Sequence, residues 1–114
     1  MGPGPDRLII DGVPVAPATV ARSRAERRRG LLGTDSLQGA LWLQPCSSVH
    51  CVGMRYPIDV ALLGRGGRVL RVRTLAPGAF TWPSPRVRAV VEAPAGEMAR
   101  WGVRPGRILK INLR

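Results

Sequence analysis

Apolar and polar positions along the chain fall into short alternating runs rather than long helical stripes. Leu8-Ile9-Ile10 reads as a short strand and Asp11-Gly12 as a tight turn. Val13–Val15 reads as a return strand, interrupted by Pro14. Gly39–Leu43 is an extended apolar run ended by Pro45, and Val49–Val52 is a second short extended piece. In Ile58–Leu63, residues Ile58, Val60 and Leu62 share one face at period two. Gly64-Arg65-Gly66-Gly67 is a hairpin loop, because glycine tolerates the positive φ that tight turns need. Its partner, Arg68–Leu75, sets Leu70 and Val72 on one face and Arg71 and Arg73 on the other, which predicts one wet side. Ala76–Pro85 is a loop, Arg86–Ala93 a strand, and Ile108–Leu113 the last strand.

Two segments read as helical. Thr19–Arg29 has a capping threonine, no internal Gly or Pro, three arginines in its last turn and Gly30 just beyond. Gly96–Trp101 predicts one or two turns closed by Gly102. Arg104-Pro105-Gly106-Arg107 fits a type II turn. There is no internal repeat. The pattern predicts one domain over residues 1–114 with loose residues 1–6. Its class is α+β but mainly β, a small partly closed β-barrel with one or two accessory helices.

Composition adds size and charge. The chain has 114 residues, 45% of them hydrophobic, enough to bury a core without a metal or disulfide staple. Its formal net charge of +11 is uneven. Residues 1–60 hold seven arginines against five acidic residues, whereas residues 61–114 hold eleven basic residues against two acidic ones. A basic half attracts anions. The bland explanation is codon usage, since seventeen of the eighteen basic residues are arginine. Two cysteines are too few for a disulfide scaffold, no apolar run approaches a membrane span, and the N-terminus has no secretory pattern. The expectation is a reducing cytoplasm, with no cofactor.

Candidate chemistry is sparse. Cys46, His50 and Cys51 are soft metal ligands, but a structural zinc needs four and no other Cys or His exists. His50 and Cys51 could serve as base and thiol, although on a strand they point to opposite faces. Arg55 and Asp59 stand four apart: either they pair with each other, or Arg55 grips a carboxylate or phosphate through its planar fork. Glu92 interrupts an apolar strand, either paired with Arg88 or acting as an acid or base with Asp59 as partner. Trp42, Trp82 and Trp101 read as packing residues, since Arg71 and Arg73 have no aromatic neighbour in sequence.

A longer constellation carries more information. It comprises Arg29-Gly30-Leu31-Leu32-Gly33, then Gly53-Met54-Arg55-Tyr56-Pro57-Ile58-Asp59-Val60, then Gly67-Arg68-Val69-Leu70, then Val90-Val91-Glu92-Ala93-Pro94-Ala95-Gly96, and finally Trp101-Gly102-Val103 before Pro105-Gly106. Over about residues 19–114 this order resembles the domain of unknown function 192 family, whose biochemical function is not established. The Gly53–Val60 block is the most specific part. The resemblance implies a compact β-barrel-like fold with accessory helices. Cys51 stands where the family often has Thr, Val52 where it has an aromatic residue, Leu32 where it commonly has Met, and Arg107 where it usually has Asp. Thiol chemistry at Cys51 is therefore not a family requirement. The family includes exported members, whose signal this chain lacks.

The leading expectation is a non-enzymatic ligand-binding or interaction module. Its polar pocket would gather His50, Arg55, Asp59 and Glu92, with Val49–Val52 and Ile58–Leu63 pairing as a hairpin. The ligand is a small molecule or a protein, with no membrane span and an oligomeric state left open. One alternative is an enzyme of unknown class using His50, Asp59 and Glu92. The other is a weak, sequence-independent nucleic-acid binder acting through the Arg-rich C-terminal half.

Overall fold

The computed structural model describes residues 6–21, 23, 25, 38–51 and 54–112. Strands β1 (Asp6–Ile10), β2 (Val13–Ala21), β3 (Ala40–Leu43), β4 (Ile58–Leu63), β5 (Val69–Leu75), β6 (Ala89–Pro94) and β7 (Leu109–Asn112) form one sheet in the order β5-β4-β6-β3-β2-β1-β7. Neighbours are antiparallel except β2 and β3, which run parallel. Helix α1 spans Glu97–Trp101. The fold is thus mainly β.

Local chemistry explains most of these elements. Asp11 (φ 47°) and Gly12 (φ 86°) both take positive φ, the conformation that lets a two-residue turn follow the twist of its strands. Strands β3 and β4 are buried along their whole length, so both faces carry apolar side chains. On one face Trp42, Ala61, Leu63, Val91 and Leu109 form a cluster with Met98 and Trp101 of α1. On the other, Leu41, Leu43, Val60, Leu62 and Val90 pack under Cys51, Met54 and Val87. Each fully buried Leu or Val contributes about 1.5–3 kcal/mol, so this two-sided sheet supplies most of the stabilising burial.

The helix expected from Thr19 is corrected over its first three residues. Thr19, Val20 and Ala21 end β2 and pair with Leu41, Trp42 and Leu43. Burial of Ala16 and Ala18 between half-buried neighbours shows the period of two that decides for strand. A β-branched Thr-Val pair fits a pleated surface better than a helix. Of the rest of that segment only Ser23 and Ala25 are described; residues 22, 24 and 26–30 lie outside the described residues, as do residues 1–5 of the 1–6 segment expected to be loose, whose last residue, Asp6, is instead buried at the start of β1.

The hairpin expected between Val49–Val52 and Ile58–Leu63 does not form. His50 bridges Phe80 instead, Cys51 N–H donates to the Ala79 carbonyl at 2.7 Å, and Thr81 N–H donates to Val49 at 2.9 Å. Strand β4 takes β5 and β6 as partners.

The sheet is not closed. Its outer strands do approach: Arg68 bridges Ile108, Val69 N–H donates to the Arg107 carbonyl at 2.8 Å, and Gly106 N–H donates to Val69 at 2.9 Å. At this seam Gly67 (φ 83°) leaves no room for a side chain, since a Cβ would stand 2.1 Å from the Leu109 carbonyl oxygen.

Candidate functional site

Asp59 is 3% exposed and fully engaged. Its Oδ1 accepts from Thr74 Oγ1 at 2.6 Å. Its Oδ2 accepts from the backbone N–H groups of Gly96 at 2.9 Å and Met98 at 3.2 Å. Gly96 precedes α1 in a left-handed conformation and carries no capping side chain, so Asp59 does that work from the neighbouring strand. The result docks Met98 and Trp101 into the core. Asp59 bonds to residues 15, 37 and 39 positions away, not to its own preceding turn.

Glu92 lies on the opposite side of the sheet. It stands opposite Leu41 and Val60, whereas Asp59 stands opposite Ala93 and Thr74. Paired residues share a face and successive residues alternate, so the sheet itself separates the two carboxylates. Glu92 is 3% exposed, which also corrects the expected surface pairing with Arg88. Its neighbour is Cys51, whose thiol is pushed up to about 11 by burial and then by the charge of Glu92. A thiol so protonated at neutral pH is a poor nucleophile.

His50 and Cys51 part company as strand alternation requires: Cys51 is fully buried, and His50 is exposed beside Phe80. Arg55 is exposed on the Met54–Pro57 connection. The four expected pocket residues therefore do not converge. Asp59 and Glu92 are buried on opposite faces, while His50 and Arg55 remain at the surface. Among the described residues no three His, Cys, Asp or Glu side chains gather at one point.

Sequence reasoning missed a different cluster. Phe80 and Trp82, two residues apart on one extended segment, meet edge to face with ring centroids 5.0 Å apart. Both are unusually open to solvent, Phe80 at 50% and Trp82 at 76%. His50 shares their outer face through its bridge to Phe80. Beneath them Thr81 is buried and holds the segment, its Oγ1 accepting from Val49 N–H at 3.0 Å. Trp82 borders a groove of about 420 Å³ with Leu62 and Val87 at its base and Arg71, Arg73 and Arg86 around it.

Arg71 and Arg73 follow from β5 pairing: they stand opposite Leu62 and Val60 on an outermost strand, where side chains on that face reach water. Among the described residues neither of them, nor Arg86, forms an ion pair, and no acidic residue lines the groove. The described acidic groups are used elsewhere: Asp11 faces Arg107, Glu97 binds Arg100, and Asp6, Asp59 and Glu92 are buried. The Trp82–Arg73 proximity is a long-range consequence of folding, and sequence spacing carries no sign of it.

The fold has solved counterparts. A protein of unknown function from Novosphingobium aromaticivorans DSM 12444 aligns with a TM-score of 0.75 at 20% identity, over 93% of this chain and 83% of that one. A "putative transcription regulator" from Sinorhizobium meliloti 1021 also aligns at 0.75 and 20% identity, over 92% of this chain and 90% of its own. At that identity the likeness concerns the fold. No curated protein matches the sequence. The profile of DUF192, described as "Uncharacterized ACR", matches residues 8–111, further toward the N-terminus than the Thr19 start of the sequence resemblance. With nearly its whole length matched, the chain belongs to the domain of unknown function 192 family.

Proposed function

We propose that this domain is a non-enzymatic binding module that takes an anionic ligand in the groove of Arg71, Arg73, Arg86 and Trp82. The observation that carries the reading is the juxtaposition of two exposed aromatic rings with three arginines that no described acidic side chain neutralises. Two adjacent exposed rings leave apolar surface that a ligand can bury, and a guanidinium fork matches phosphate or carboxylate geometry. A catalytic reading has less to work with: Asp59 is committed as a cap, and Cys51 is buried with a raised thiol pKa. Of the residues expected from sequence, His50 stands at the margin of the groove, and Arg55 contributes charge outside it. The curled sheet is read as a partly closed barrel that presents this groove beside its β5 edge.

Titration with inorganic triphosphate, followed by tryptophan fluorescence, tests the reading. Quenching should saturate and should weaken at least tenfold in the Arg71→Ala/Arg73→Ala variant. The charge-matched Arg100→Ala/Arg104→Ala variant, outside the groove, should bind as the unaltered protein does. Equal weakening in both would reduce the effect to net charge and overturn the site.

A further inference from the structure

The groove does not end at Arg86. A second cavity of about 270 Å³ shares Leu70 and Arg86 with it and adds Gly64, Arg65 and Arg88. A third, of about 520 Å³, shares Gly64, Arg65 and Arg88 with the second and adds Trp42, Leu63 and Lys110. Linked by these shared residues, the three cavities form a track around the Gly64 end of β4, from the face of Leu62 and Trp82 to the face of Leu63 and Lys110. Six basic residues border it: Arg71, Arg73, Arg86, Arg65, Arg88 and Lys110. None of the six forms an ion pair among the described residues, and no acidic residue lines any part of the track.

A small anion would use one pair of these arginines and leave the others facing each other at a cost in repulsion. An extended polyanion would use them all. Its charges would recur along the track, and the apolar surface between them, half-buried Leu70 and exposed Pro85, would face uncharged parts of the same chain. Open Trp82 and Phe80 faces at one end suit a flat ring that is free to leave its own stack. A duplex hides its ring faces, and an acidic peptide has none in regular repeat.

We infer that the track binds single-stranded nucleic acid, its phosphates along the six basic residues and a base stacked on Trp82. The inference rests on the anion-binding reading above and extends it. A track of this kind suits a few nucleotides, the low end of single-strand site sizes of about 4–16 nucleotides.

The test is fluorescence anisotropy of labelled oligothymidylates of three and twelve nucleotides, the matching duplex, and competition by phosphatidylglycerol vesicles and polyglutamate. The twelve-mer should bind at least tenfold tighter than the three-mer and the duplex, and should quench Trp82. Binding should fall with salt at a log–log slope of about −0.7 per phosphate contacted. Arg65→Ala and Lys110→Ala should each reduce that slope and weaken the twelve-mer while leaving triphosphate affinity unchanged. Trp82→Ala should weaken the twelve-mer at least fivefold and abolish the quench. If triphosphate binds but the twelve-mer gains nothing over the three-mer, the polymer inference fails and the anion site stands. Equal duplex binding, or stronger displacement by vesicles or polyglutamate than by oligothymidylate, also overturns it. If triphosphate itself does not bind at the groove, the underlying reading falls.

Discussion

Replacing Asp59 by Ala should unfold the protein more readily without touching the basic track. The side chain accepts three hydrogen bonds, from Thr74 Oγ1, Gly96 N–H and Met98 N–H, at a site 3% exposed. Hydrogen bonds to an ionised group contribute about 1.5–3 kcal/mol each, and a buried donor left without an acceptor costs a similar amount. At the lower figure, with water re-entering to satisfy one donor, the loss is about 4 kcal/mol. For a domain of this size that lowers Tm by about 15 °C. Asn in place of Asp keeps one acceptor oxygen but turns an amide N–H₂ toward donors, so Asp59→Asn should lose about 2 kcal/mol. Circular dichroism melts give the global values. Amide exchange at Gly96 and Met98 gives the local one, and both should exchange more than tenfold faster in Asp59→Ala. At a temperature where both variants remain folded, triphosphate affinity should be unchanged. A Tm loss under about 4 °C, or lost binding with an intact fold, would refute the structural role assigned to this carboxylate.

Two further outcomes follow from the fold. Gly67→Ala should cost about 2–4 kcal/mol, because its Cβ meets the Leu109 carbonyl; Gly66→Ala, also at positive φ but with nothing within 4 Å, should cost about 1 kcal/mol in the same urea titration. Both cysteines are free, so thiol titration should count two, with half-buried Cys46 reacting at once and Cys51 only as fast as the fold opens. Burial of Cys51 favours the protonated thiol in the folded state. Its contribution to stability is therefore full below pH 9 and is lost as pH rises toward about 11, and urea midpoints measured from pH 8 to 11 should fall accordingly.

The strands were legible because each carries a local signal that tertiary structure does not reverse. Alternation in Ile58–Leu63, the Gly64–Gly67 turn and the Gly96–Gly102 helix all reappear at or near their expected places. Thr19–Ala21 misled because its signal is local in the wrong direction. Capping threonine, alanines and a later glycine describe a helix, but a parallel ladder with Leu41–Leu43 overrides propensity. The false hairpin has a related cause. Val49–Cys51 and Ile58–Leu63 are close in sequence, and neighbouring extended runs often pair, yet β4 already has both its edges filled by β5 and β6.

The site was less legible, and the reason is topological. Asp59 and Glu92 drew notice as charges inside apolar strands, and that signal is genuine, since both are buried. For Asp59 it reports a carboxylate that caps the helix from a neighbouring strand, and a register one residue apart sends Glu92 to the opposite face, beside Cys51. The basic track is the reverse case. Each of its residues looks ordinary in sequence: two arginines on an outermost strand, one in a turn, two before a strand, a lysine near the end of the chain. They become a site only because β4 lies between β5 and β6, and because β7 returns to meet the start of β5 at Arg68 and Ile108. Codon bias can raise the number of arginines, but it has no means of choosing where they face. A random excess would scatter among acidic residues, whereas here six basic residues line three adjoining cavities whose linings hold no described acidic side chain. Placement, rather than the net charge of +11, is therefore what argues for an anionic partner.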